Sequence, residues 1–249
     1  MLSQSLQQGK LNEKKRVSKL PELNPPMPVR LKFIKVGTLQ YISHLDLQRT
    51  FNRIINRACL PVWYTQGFNP HIKFVFSTPL SVGTESVCEY LDIRIDRKMS
   101  LEQIKDRLNY EMTDEFHVVD VYEPKSDFSE IKWASYKMCI VTSGADAQLA
   151  RGIEQTLASP LYLTKKTKAG ETEIDIVSLI NSVNVRYNEE NKAIEIDTIV
   201  SASTTDYLNP EMIIKGLKSK LGILSGDPTQ EYYTILRTEL YKKDMTVFS

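Results

Sequence analysis

Cysteine, histidine and glycine are scarce in this sequence. The three cysteines, at positions 59, 88 and 139, form no CxxC pair and no spacing used by a zinc site or an iron–sulfur cluster. They are also too few for a disulfide framework. The histidines are His44, His71 and His117, and nearly all would have to converge to build a zinc centre. We therefore expect no metal and no cofactor. Ten glycines in 249 residues leave no GxGxxG and no GxxxxGK[ST], so neither phosphate-cradling loop is available. No apolar run nears the ~20 residues of a membrane span. The basic start MLSQSLQQGKLNEKK lacks the apolar stretch of a secretory signal. These absences lead to the expectation of a reduced, cytoplasmic protein with no membrane contact.

The charges that are present are unevenly placed. The net charge is only +1, yet residues 28–75 hold seven Lys or Arg against one acid, Asp46, while residues 76–130 hold six against thirteen. Such asymmetry permits a polyanion-binding face on a near-neutral chain. It equally permits the two stretches to neutralise each other.

Residues 1–27 are polar, lack periodicity and run into Asn24-Pro25-Pro26-Met27-Pro28, which reads as a flexible tail. From there the elements alternate. Val29, Leu31 and Phe33 predict a strand. Ser43 caps a helix carrying Leu47, Phe51, Ile54 and Ile55, and short strands are expected at 62–65 and 73–78. A strand over 87–95 precedes a helix capped by Ser100 with Gln103 as its capping-box partner, and a strand at 117–122 closes the unit. The same order recurs: a strand at 136–141, a helix capped by Asp146, strands near 161–167, 183–187 and 194–200, a helix from Asn209-Pro210 to Gly222, and a strand at 231–241. The expected fold is α+β, with two tandem ferredoxin-like (βαββαβ) domains with antiparallel sheets, over 28–126 and 130–249.

Three features carry candidate chemistry. Arg49, Arg53 and Arg57 lie four residues apart on one helix, so their guanidiniums share a face. The loop Tyr64–Lys73 combines Phe68 for stacking, Asn69 for base edges, His71 and Lys73. Lys165, Lys166 and Lys168 cluster at an expected hairpin tip, a common phosphate contact. Ser43, His44 and Asp46 resemble a triad only in composition, because Ser43 and Asp46 are suited to capping and neighbours on a first turn diverge.

Residues 29–93 carry Ile42-Ser43-His44-Leu45-Asp46, Gly67-Phe68-Asn69-Pro70-His71, Glu85-Ser86 and Glu89-Tyr90-Leu91-Asp92. In these motifs the chain resembles a bacterial family of radical SAM-linked proteins, a domain of unknown function found beside or fused behind a radical SAM protein with a cobalamin-binding-type domain. The resemblance implies a radical SAM partner that carries the cluster, and an RNA context. It leads us to expect a non-catalytic accessory protein presenting tRNA or rRNA to that partner. One alternative is a metal-independent endonuclease using His44 or His71, and another is a protein–protein adaptor without RNA contact.

Overall fold

The alternating apolar residues Val29, Leu31 and Phe33 sit in the longest stretch of β1 (Glu22–Lys35), and all three are fully buried. The computed structural model describes residues 2–167 and 170–249. They form two units: unit 1 comprises the chain to Val82, Ser86–Ser126 and Ser249, and unit 2 comprises Gly83–Glu85 and Asp127–Phe248. The protein is mixed α/β, with five α-helices among the described residues, and every strand pair with a described register is antiparallel.

Unit 1 contains α1 (Leu2–Val17), β1, α2 (His44–Arg57), β2 (Val75–Phe76), β3 (Thr84–Arg97) from Ser86 on, α3 (Leu101–Tyr110) and β4 (Val118–Tyr122). Its strands are ordered β4-β1-β3-β2. Phe51, Ile54 and Ile55 of α2 and Ile104 and Leu108 of α3 meet Val29, Leu31 and Phe33 of β1 and Leu91, Ile93 and Ile95 of β3 in one apolar cluster. The ring of Phe51 lies 4.9 Å from that of Phe33 and 5.1 Å from that of Phe116. On the opposite face of the strands, Arg30 stands between Tyr122 and Asp92 in the register. Its guanidinium forks onto Asp92 at 2.7 and 2.8 Å and also bonds the Ser126 hydroxyl and carbonyl.

Where the sequence leads to a flexible tail over residues 1–27, the described residues form α1 and the start of β1. α1 is a helix whose last turn carries Lys14, Lys15 and Arg16, the sign that suits a helix C-terminus. Val17 enters the core, Lys10 pairs with Glu111 at 2.9 Å, and Glu13 pairs with Arg107. The docking is mostly ionic, so it leaves no apolar periodicity to read. The prolines do not exclude a strand either. The register of β1 shifts between Glu22 and Met27, where Pro25 and Pro26 lie. Pairing with β4 begins only at Arg30, so these prolines occupy an edge, where a missing N–H is tolerated.

Unit 2 contains β5 (Ile131–Val141), α4 (Ala147–Leu157), β6 (Tyr162–Thr167), β7 (Gly170–Asp175), β8 (Ile180–Asn188), β9 (Ala193–Ser201), α5 (Glu211–Leu221) and β10 (Tyr232–Lys242). The strands are ordered β10-β5-β9-β8, and β6 and β7 form a separate two-stranded ladder. β6 lies where a strand is expected near 161–167, and β7 is the second arm that the expected hairpin requires. Alternate residues Ala134, Tyr136, Met138 and Ile140 of β5 are buried, as are Ile153 of α4 and Ile213, Ile214 and Leu217 of α5. Gly222 ends α5 in the left-handed region at φ 67°, and its N–H bonds the Lys218 carbonyl.

A carboxylate clamps the loop after α5. Glu231 accepts from the Ser143 N–H at 2.7 Å, the Gly226 N–H at 2.6 Å and the Thr142 hydroxyl at 3.2 Å. Hydrogen bonds from Ser143, then from Gly226, hold its carboxyl down at about 2, against 4.5 ordinarily. A depressed carboxylate pKa contributes stability above the unfolded value and loses it as pH falls towards the folded one. Acid unfolding should therefore steepen between pH 4.5 and about 2. Glu231→Gln should flatten that limb in a thermal melting series across pH. Equal slopes for the two proteins would remove Glu231 as the cause.

Candidate nucleic-acid interface

α2 begins where the sequence places it. Ser43 adopts extended backbone, its Oγ accepts from the Asp46 N–H at 3.2 Å, and its hydroxyl donates to the Asp46 carboxylate at 2.7 Å. Hydrogen bonds from Ser43 and then Arg49 lower the Asp46 pKa. Both residues are thus engaged in starting the helix. His44 is exposed, stacks edge-on against Phe76 at 5.0 Å and meets the Gln48 amide at 3.3 Å.

The arginine stripe is largely neutralised. Arg49 pairs with Asp46 at 3.1 Å, and Arg57 pairs with Glu111 at 3.0 Å while also bonding its carbonyl. Among the described residues Arg53 has no ion-pair partner. It opens onto a cavity of about 630 Å³ that Glu111, Asp114 and Glu115 also line. Glu115 is committed to the Thr38 N–H and hydroxyl. Three carboxylates around one unpaired guanidinium make this cavity a poor seat for a phosphate backbone.

The loop 64–73 is built differently. Thr65 and His71 close its neck: the Thr65 N–H donates to the His71 carbonyl at 2.9 Å, and the His71 N–H donates to Thr65 Oγ1 at 3.1 Å. The His71 ring nitrogen Nδ1 lies 3.1 Å from both Thr65 Oγ1 and the Asn69 carbonyl. Its role is therefore to hold the loop. Gly67 takes φ 137°, which a side chain would resist, and turns the chain at the tip. Next to it Phe68 is fully exposed, flanked by exposed Gln66, Asn69 and Pro70. Lys73 is exposed and among the described residues has no ion-pair partner. The Tyr64 hydroxyl reaches Asn56 Oδ1 of α2 at 3.5 Å. Tyr64 and Asn56 line a smaller groove of about 270 Å³ with Lys14 of α1 and Arg97. Sequence reading missed this neighbour, because nothing in the first 27 residues signalled a docked helix.

The remaining motif residues are apart from this surface or serve the strands. Ser86 and Glu89 are buried in β3, where Ser86 Oγ accepts from the Cys88 N–H at 3.2 Å and Glu89 stands opposite Phe33. Glu85 lies at the start of β3. Lys165 and Lys166 lie on β6 opposite Thr172 and Glu171, and Lys168 lies outside the described residues. His44 and His71 share no hydrogen-bond partner, and among the described residues neither imidazole hydrogen-bonds a lysine or tyrosine. Among those residues no cluster of His, Cys, Asp or Glu could hold a metal ion, and no helix is long and apolar enough to cross a membrane.

No curated protein sequence matches the chain. Residues 29–210, which include β1 from Val29 on, α2, the exposed loop and most of unit 2, match the model of a family described as an uncharacterised protein conserved in bacteria (DUF2344), and the chain belongs to that family.

Proposed function

We propose that this protein binds single-stranded RNA, within a tRNA or rRNA, through the 64–73 loop, and presents it to a radical SAM partner in the cytoplasm. The observation that carries the reading is Phe68. A fully exposed phenylalanine at the tip of a loop whose neck is tied by Thr65 and His71 is a rigid stacking platform. Bases stack on such platforms, and the nearby cation Lys73 and amide Asn69 suit a phosphate and a base edge. The partner is supported by the resemblance of the motifs to radical SAM-linked proteins. The strand orders β4-β1-β3-β2 and β10-β5-β9-β8 support reading both units as ferredoxin-like, with β6 and β7 inserted in the second.

The test is fluorescence anisotropy of a labelled single-stranded RNA with the full chain. Phe68→Ala should weaken binding by about 1–3 kcal/mol, and Phe68→Tyr should retain it. Lys73→Ala should make the slope of log affinity against log salt shallower by roughly 0.7. Unchanged RNA affinity in Phe68→Ala, together with loss of co-purification with the radical SAM protein, would replace this reading with an adaptor role. RNA cleavage in the presence of a chelator, lost in His71→Ala, would replace it with the endonuclease.

A further inference from the structure

Unit 2 has a groove of its own. It encloses about 450 Å³ between α5, the loop after it and the start of β10. That is the size of a small-molecule site. Lys215 and Lys218 of α5 line it, one helical turn apart and therefore on one face. Tyr232 and Tyr233 of β10 line it too, and Tyr232 is half exposed.

The acids of the groove keep their charge but are turned to neutral donors of the protein rather than to its cations. Glu211 stands four residues before Lys215, the spacing at which a helix normally pairs them. Instead Glu211 accepts the Tyr233 hydroxyl at 2.7 Å. Burial, then that bond, pushes the Tyr233 phenol up to about 12, so it remains a donor. Glu231 faces the groove while receiving Ser143, Gly226 and Thr142. Both ammonium groups, by contrast, have no ion-pair partner among the described residues. The walls are also set in advance: the Leu224 N–H bonds Thr142 Oγ1 at 2.9 Å, and Leu224 is held at φ 55°.

Lys215 and Lys218 bring two charged donors to one face, which suits a terminal phosphate monoester, about −1.5 to −2 at pH 7, better than the single charge of a phosphodiester, while Glu211 and Glu231, which balance their charge, are held by other donors. An exposed tyrosine ring beside them offers a flat apolar surface to a base. We propose that this groove binds a nucleoside 5′-monophosphate group, with the phosphate on Lys215 and Lys218 and the base against Tyr232. The group is either a free nucleotide or the 5′ end of an RNA. The site stands on unit 2 residues alone and does not depend on the role of Phe68.

Isothermal titration calorimetry of the full chain with adenosine 5′-monophosphate, adenosine, and a single-stranded tetraribonucleotide with or without its 5′ phosphate tests this. The monophosphate should bind at least roughly tenfold tighter than adenosine, and the Lys215→Ala/Lys218→Ala double variant should erase that preference. Both lysines are exposed on a helix, where alanine is well tolerated. Tyr232→Ala should weaken the monophosphate roughly tenfold, and Tyr232→Phe should retain it. In Phe68→Ala, tighter binding of the 5′-phosphorylated tetranucleotide than of both the monophosphate and the unphosphorylated tetranucleotide identifies an RNA end, and binding no tighter than the monophosphate identifies a free nucleotide. Adenosine binding as tightly as the monophosphate, or a double variant that behaves like the parent, overturns the site. Phe68→Ala should leave the monophosphate titration unchanged, so failure of the loop's RNA role and failure of this groove are read separately.

Discussion

Phe51→Ala should cost unit 1 about 3–5 kcal/mol of stability. The side chain is fully buried, and its ring meets Phe33 at 4.9 Å, Phe116 at 5.1 Å and Phe76 at 5.9 Å. Truncation removes the transfer free energy of the ring and leaves a cavity that its three stiff aromatic neighbours cannot fill. It also removes edge-to-face contacts worth about 0.5–1.5 kcal/mol per pair. Phe51→Leu refills much of the space and should show roughly half the loss. The measurement is convenient, because the chain has two tryptophans, Trp63 in unit 1 and Trp133 in unit 2. In a Trp133→Phe background, urea unfolding followed by Trp63 fluorescence reports unit 1. A loss below about 1 kcal/mol for Phe51→Ala would mean that this cluster is not the core of the unit.

Phe51 also shows why parts of the fold were legible. Leu47, Phe51, Ile54 and Ile55 recur at helical spacing behind a serine cap, and Ser100 with Gln103 forms the capping box that its spacing announces. Local rules suffice for such elements. They fail where the stabilising partner is distant in sequence. α1 is held by Glu111 and Arg107, about a hundred residues away, so its polar sequence reads as a tail. The short strands expected at 62–65 and 73–78 reduce to two bridges, at Val62 and Tyr64, and to the two residues of β2, because the chain between them is spent on the loop. The arginine stripe was visible as a row. Its neutralisation was not, because Glu111 lies 54 residues from Arg57. The loop itself was legible as a dense polar constellation with an aromatic residue. That His71 ties its neck while Phe68 stands alone required coordinates.

The same limit hides the residue with the second large expected effect. Arg30 reads as the polar, outward position of an alternating strand, yet it is 1% exposed. Asp92 and Ser126 satisfy its guanidinium, and burial pushes the neighbouring Tyr122 phenol up to about 12. Arg30→Ala should destabilise unit 1 by about 3–5 kcal/mol, because it leaves a carboxylate and a carbonyl without their donors. Arg30→Lys keeps the charge but cannot fork, and should lose about 1–3 kcal/mol. The pair is not thereby a large net source of stability, since two ions leave water to form it. That distinction is measurable in the Trp63 assay. Arg30→Met combined with Asp92→Leu removes both ions, and should recover most of what Arg30→Ala loses. A double variant as unstable as Arg30→Ala would show instead that the cost comes from the arginine's packing and its Ser126 contacts. In that case the row Tyr122–Arg30–Asp92 across β4, β1 and β3 is held by shape rather than by charge.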